Sequence, residues 1–457
     1  MHPAFVPHAE TRRRGDAEAR RKAIQPVILY LASCILFLYP ASMPRLLLVN
    51  PPIYDFTAYD FWLRPYGMLR VAGMVRQFCD LEFFNFLVCS KRDEWGRGRY
   101  GSQEVSKPQV LKDIPRNYRR FGRERPEFRD LLRARRFDVA LIQTSMTYWY
   151  PGIREVIEDL RELQPSARIV LGGIYATLCP SHARSLGPDL VIEGSRLDPL
   201  WELLSVDPGK GAPYWPPEYA DVGVMKITEG CPFRCTYCSA PLFWPEFNAR
   251  PMEDSLDELA RYAAMGTKNI AFYDDALLYR ADQVLAPFLE AAIKSGFSGR
   301  FHTPNALNAR FISEGFANLM VRAGFATFFL GLESCSPSWQ DSTGGKVSPA
   351  EFEGAVQRLR EAGAKSITTY VIAGHPDSEG QIPEDSIRFA NRCGTKVLLS
   401  EFSPIPGTAD GLKSRSWADM REPLSHNKTA FAIRRLGPER MNRLKALARS
   451  LNSGLQK

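Results

Sequence analysis

The chain has 457 residues, room for two or three domains, and its 45% apolar and 24% charged residues are globular values. Nine cysteines in that length exclude a disulfide-stapled secreted scaffold and point to a reducing cytoplasm. The net charge of +8 is a local feature: residues 91–136 hold 15 Lys/Arg against 7 Asp/Glu, and residues 1–42 hold 6 against 3.

Residues 1–42 begin with a basic stretch, Arg12 to Lys22, followed by the apolar run Val27–Tyr39. Thirteen apolar residues are too few to cross a bilayer comfortably, although the order of basic, apolar and small residues has the outline of a signal peptide. Met43 stands directly before an apolar strand, so residues 1–42 read as an extension outside the folded core, with no membrane partner.

From residue 43 to 200 the pattern alternates between strand and helix. Arg45–Asn50 is a strand stopped by Pro51-Pro52, and Leu69, Ala72, Val75 and Phe78 mark a helix over 66–78. Phe83–Val88 suits a second strand. The basic residues 91–136 then read as a solvated surface insertion; they lack the interleaved aromatics of a base-stacking platform, which argues against nucleic acid. Phe137–Ser145 is a buried parallel strand, and Ile153, Val156, Ile157, Leu160 and Leu163 line a helix. Arg168–Leu171 and Leu190–Ile192 are strands that end in Gly172-Gly173 and Glu193-Gly194. This alternation predicts a doubly wound parallel sheet, whose ligands bind at the carboxyl ends of the strands. Thr144, Ser145, Thr147, Gly172, Gly173, Glu193 and Gly194 all fall at those ends.

The Pro- and Gly-rich residues 201–221 read as a linker. Over 222–408, strands are expected at 222–228, 268–274, 300–305, 325–332, 366–373 and 397–403 with helices between, which is a partial (β/α)6 barrel. Residues 409–457 read as a helical tail with Met441, Leu444, Leu447 and Leu451 on one face.

The most specific feature is the run ITEGCPFRCTYCSAP, in which Cys231, Cys235 and Cys238 are spaced C-x3-C-x2-C. Three thiolates on one loop can hold three irons of a 4Fe–4S cubane and leave the fourth iron open, whereas an electron carrier closes its cluster with four cysteines. A structural zinc site would want a fourth ligand, and neither a second C-x2-C pair nor a nearby histidine exists.

The triplet, with aromatic Tyr237 before its last cysteine, resembles the radical S-adenosylmethionine (radical SAM) superfamily. The two halves together, residues 43 to 410, resemble its cobalamin-binding family through VNPP at the first strand, Thr144–Thr147, Gly172-Gly173 and Glu193-Gly194. The resemblance implies a 4Fe–4S cluster, S-adenosylmethionine and cobalamin as cofactors, a flavodoxin- or ferredoxin-like electron donor, and a small-molecule or peptide substrate. It implies a methyltransferase acting on an unactivated carbon or phosphorus. The alternatives are a radical enzyme that rearranges or oxidises its substrate, and a non-catalytic cofactor-binding protein.

The resemblance also assigns residues. Asp274 and Asp275 would take the methionine ammonium, Glu333 a ribose hydroxyl, and Gly374, Pro376 and Tyr237 the adenine side. Asn305 would face the substrate or serve the turn, and Cys335 and Glu401 are the catalytic candidates. Gly172 and Gly173 would let the backbone approach a flat corrin ring. One departure stands out: the D-x-H-x-x-G motif that supplies a cobalt ligand is absent, and His182 lies outside any such motif. His302, His375 and the Trp and Phe residues around 243–247 read as ordinary structure.

Overall fold

Leu46, Leu47, Leu48 and Val49 are fully buried, as a strand covered on both faces must be. They belong to β1 (Arg45–Asn50), which pairs in parallel with β2 (Asp80–Asn85) on one side and β3 (Val139–Thr144) on the other. β4 (Arg168–Gly173) and β5 (Leu190–Ile192) continue the sheet in the order β5-β4-β3-β1-β2. The computed structural model describes residues 43–455 except 210 and 379; the extension expected at 1–42 lies outside the described residues. β2 begins three residues earlier than its aromatic run suggested, because Arg45 pairs with Asp80 and the pairing ends where Asn50 donates to the Asn85 side chain at 2.8 Å.

The second sheet is also fully parallel, with strands adjacent in chain order: β6 (Val222–Met225), β7 (Asn269–Phe272), β8 (Arg300–His302), β9 (Phe325–Glu333), β10 (Ile367–Ala373) and β11 (Lys396–Glu401). These six strands are the expected partial barrel. Helices follow the strands: α1 (Tyr66–Val75), α2 (Arg125–Ala134) and α3 (Tyr150–Leu163) in the first unit, and α4 (Pro337–Thr343) after β9. The C-terminal segment supplies α5 (Ala409–Lys413), α6 (Lys428–Leu436) and α7 (Pro438–Gly454). No helix among the described residues is long and apolar enough to cross a membrane.

The basic segment is a solvated insertion only in its first part, residues 91–110, which are largely exposed. Leu111, Ile114, Tyr118, Phe121, Phe128 and Leu132 are buried, and residues 125–134 are simply the crossover helix α2. Its arginines meet acids spaced along one face of α3. Arg120 pairs with Glu155 at 2.7 Å, Arg125 with Asp159 at 2.9 Å, and Arg129 with Asp159 and Glu162. A hairpin of Cys89–Arg92 and Gly98–Tyr100 closes the amino end of the barrel: Arg300, which opens β8, donates to the Glu94 carbonyl at 2.8 Å. Trp62 donates to the Trp95 carbonyl at 2.7 Å and stacks on His302 with centroids 4.6 Å apart, filling the barrel among Val222, Val224, Ala271 and Phe329.

The C-terminal segment is more than a tail. Met441, Leu444 and Ala448 of α7 are buried, and the turns before α6 reach the first sheet. His426 Nδ1 lies 3.0 Å from Thr147 Oγ1, and Asn427 Nδ2 donates to Asp55 at 2.8 Å.

Candidate active site

After β6 the chain makes a short antiparallel pair, Thr228–Glu229 with Asn248–Ala249, which pinches the base of the loop 230–247. Gly230 makes that turn possible. Its φ is +80°, and a Cβ there would sit 2.0 Å from the Glu246 carbonyl oxygen. The loop carries Cys231, Cys235 and Cys238, all free and half-buried. A tight turn, Cys238 N to Cys235 O at 3.0 Å, brings the last two together. Burial raises all three thiols, Cys238 to about 11, while the Lys346 ammonium works in the opposite direction on each. Among the described residues no three His, Cys, Asp or Glu side chains converge to hold one ion.

The two residues inside C-x2-C are held from outside the loop. Thr236 N donates to Thr343 O at 3.2 Å, and Gly344 (φ +114°) lies so close that a Cβ would be 3.1 Å from Cys235 Cα. Tyr237 stacks on Trp339 at 5.8 Å and meets His375 edge-on at 6.2 Å.

The carboxyl ends of the barrel strands hold the residues assigned to S-adenosylmethionine. Asp274 is fully buried; its Oδ1 accepts from Ile227 N at 3.0 Å, Thr228 N at 2.6 Å and Thr228 Oγ1 at 2.7 Å, and its Oδ2 has no partner among the described residues. Burial pushes its carboxyl up to about 6 against those three donors. Asp275 instead pairs with Lys226 at 3.1 Å. Glu333 ends β9 at a bulge with φ +63°, a left-handed conformation that costs a non-glycine residue about 1–3 kcal/mol and marks sites where geometry matters more than stability. Its Oε1 accepts from Lys346 at 2.9 Å. Gly374 has φ +86° and lets α6 approach, since a Cβ would lie 2.9 Å from Ala432 Cα; the Pro376 carbonyl accepts from Arg435 at 3.0 Å.

Three of the expected residues have partners within the protein. Asn305 donates to the Tyr273 and Asp274 carbonyls at 2.9 and 3.2 Å, so it fixes the turn after β7. Cys335 accepts from Ser386 Oγ at 3.5 Å and packs against the barrel core. Glu401 is bound to the C-terminal segment by Thr429 at 2.5 Å and Lys445 at 2.6 Å. Sequence reasoning missed Lys346, and it passed over His375, which is fully buried 2.8 Å from Asp410. Neither belongs to a motif; Lys346 follows Gly344-Gly345, a turn signal in the sequence, and both glycines have positive φ.

At the first sheet most of the expected residues are committed to the protein itself. Ala176 N donates to Thr144 Oγ1 at 3.1 Å, Thr147 faces His426, Glu193 pairs with Arg184, and Gly194 N donates to Thr177 Oγ1 at 2.9 Å. Gly173 has φ +114° and a Cβ there would strike Thr144 O at 2.3 Å, so its missing side chain serves the backbone and not a ligand. Gly172 is different: a Cβ would meet only Ile192 Cβ, at 3.8 Å. Beside it and half-buried Ser145, Met146 and Ile174 are 43% and 39% exposed at the same edge, a surface that fits a flat apolar ligand. His182 offers no free ring nitrogen there on its Nδ1 side, which lies 2.5 Å from the Tyr175 hydroxyl.

Residues 225–390 match the family model described as the Radical SAM superfamily. Curated relatives include an uncharacterized methyltransferase of Pyrococcus horikoshii, 27% identical over 46% of this chain and 44% of its own length. Another is the bacteriochlorophyllide d C-12(1)-methyltransferase of Chlorobaculum tepidum, 26% identical over 52% and 58%. The chain thus spans about half the length of these relatives. Among solved structures, the radical S-adenosylmethionine methyltransferase TsrM of Kitasatospora setae, with tryptophan and a SAM analog bound, superposes with TM-score 0.65 at 15% identity, covering 90% of this chain and 89% of that one. The cobalamin-dependent radical enzyme OxsB superposes with TM-score 0.54 at 13% identity, covering 85% and 57%. The fold, a five-stranded parallel sheet ahead of a six-stranded parallel one, is therefore shared with both.

Proposed function

We propose that this chain holds a 4Fe–4S cluster on Cys231, Cys235 and Cys238, cleaves S-adenosylmethionine reductively, and acts as a cobalamin-dependent methyltransferase. The observation that carries the reading is the three free thiols on one loop beside the strand ends that hold Asp274 and Glu333. When bound, the cluster supplies the electron that splits S-adenosylmethionine into methionine and a 5′-deoxyadenosyl radical, and cobalamin supplies a methyl group.

The chain's own residues bind and orient. Asp274 Oδ2, buried and without a partner, accepts from the methionine ammonium in a charge-assisted bond. Glu333 accepts from a ribose hydroxyl, and the turn at Gly374 and Pro376 offers backbone groups to adenine. Lys346 offsets the negative charge gathered by three thiolates. Tyr237 and Trp339 form an apolar wall that keeps water from the loop. A flavodoxin- or ferredoxin-like donor delivers the electron.

One observation favours a second reading, a radical enzyme without methyl transfer: Thr144, Thr147, Glu193 and Gly194 all have protein partners. Both readings require 5′-deoxyadenosine. The wild-type chain, loaded anaerobically with iron and sulfide, reduced with dithionite and given S-adenosylmethionine, is expected to form it, and the C231A, C235A and C238A triple variant is not. A triple variant that still forms it, or a wild type that never does, overturns the proposal. Stoichiometric cobalamin uptake separates the two readings.

A further inference from the structure

Thr236 lies between the second and third cysteines, and all three of its polar groups are engaged. Its N–H donates to Thr343 O at 3.2 Å, its carbonyl accepts from Asp410 N at 3.1 Å, and its hydroxyl donates to Asp410 Oδ2 at 2.5 Å. Asp410 is fully buried in α5, beyond the last barrel strand. The same Oδ2 lies 2.8 Å from His375 Nε2. His375 Nδ1 accepts from Asp377 N at 3.1 Å and from Trp339 Nε1 at 3.3 Å, so the ring carries its proton on Nε2 and donates it to Asp410. Trp339 in turn stacks on Tyr237, the other residue inside C-x2-C.

Both intervening residues of the pair Cys235–Cys238 thus lead back to one histidine. We propose that His375 and Asp410, acting through Thr236, are positioning residues that set the spacing of the cysteine thiols, which makes the segment after the barrel a part of the cluster site. The inference rests on the cluster reading above. It follows from the backbone path from Cys235 to Cys238, four residues long: with the peptide before Thr236 fixed at its N–H and the one after it fixed at its carbonyl, little freedom remains between the two sulfurs. Partners of this kind, one bond removed from the ligands, are worth about 10–100-fold in metal retention. The segment 409–413 is itself rigid. Thr408 Oγ1 accepts from Gly411 N at 3.0 Å, and Gly411 lies so close to Ile405 that a Cβ would be 1.9 Å from its carbonyl oxygen.

The test compares T236V, T236S and D410N with the wild type, each loaded anaerobically with iron and sulfide. T236V replaces a hydroxyl by a methyl of the same shape and leaves both backbone bonds in place. T236V and D410N are expected to release iron to a chelator about 10-fold faster than the wild type, with an altered electron paramagnetic resonance signal after reduction. T236S restores both. The metal-free T236V chain is expected to fold cooperatively and to melt lower by no more than the loss of one hydrogen bond, while T236S melts as the wild type, which separates positioning from folding. Wild-type release rates and signal in T236V overturn the inference, whether or not D410N folds. A wild type that takes up no cluster overturns the cluster reading as well.

Discussion

Asp274 keeps one carboxylate oxygen without a partner although its side chain is fully buried. Such a group normally finds a donor, so a cationic ligand at Oδ2 is the economical explanation. Asp274→Asn retains an oxygen for Ile227 and Thr228, removes the charge and turns the Oδ2 acceptor into an amide donor. The charge-assisted bond is worth about 1.5–3 kcal/mol, so S-adenosylmethionine is expected to bind about 10–100-fold more weakly. The sign with pH is fixed by burial, which lifts the carboxyl to about 6. Below that value Asp274 is protonated and cannot accept from an ammonium, so wild-type affinity rises with pH through about 6, whereas the Asn variant stays weak and flat. Calorimetric titration of the loaded protein between pH 5.5 and 8 checks both; wild-type affinity in the variant rejects the assignment. At this scale the cysteines were legible because coordination demands a spacing, and Asp274 because it ends an apolar run. Lys346, His375 and Asp410 were not, since each acts on partners 13, 36 and 174 residues away and leaves no local pattern.

The elements tell the same story one level up. All eleven strands of the two large sheets were expected near their observed places, and those buried on both faces, such as β1, read as apolar runs because burial forces that composition. The hairpins inside the basic segment and the turns over 414–427 were not. Their strands are two to four residues long and are held by distant side chains rather than by periodicity. Asn427 shows how. Its Oδ1 caps α6 by accepting from Ala430 N at 3.0 Å, and its amide donates to Asp55, whose carboxyl burial pushes upward. Asn427→Ala removes a cap and one partner of a buried carboxylate together, and is expected to cost about 2–3 kcal/mol in urea unfolding of the metal-free chain. In an Asp55→Asn background the same change is expected to cost about half as much, because the two residues share one bond. Equal costs in both backgrounds would show that the bridge between the sheet and the C-terminal segment carries no energy.

For the whole molecule, the question is whether the two parallel sheets open toward each other. Thr147 follows β3 and holds His426; Glu401 ends β11 and holds Thr429. Three residues of chain reach at most about 11 Å, so the carboxyl ends of both sheets lie on the same side, joined by the start of α6. The rule that parallel sheets bind ligands at their carboxyl ends implied this arrangement, but the residues that bridge those ends come from a segment that reads as a tail. A ligand shared between the sheets would rest on the edge formed by Gly172, Met146 and Ile174. Gly173 cannot test it, since any side chain there disrupts the contact with Thr144. Gly172 can: its φ is not positive and the nearest atom to an added Cβ is 3.8 Å away. Gly172→Trp is expected to place an indole over the edge and abolish cobalamin uptake, read from the absorbance of the protein after anaerobic loading and desalting. Iron content and 5′-deoxyadenosine formation should stay at wild-type levels, because the cysteine loop lies in the other sheet's unit. A variant that still binds one cobalamin per chain moves the ligand away from this edge, and a wild type that binds none leaves the first sheet as a cap on a radical enzyme that transfers no methyl group.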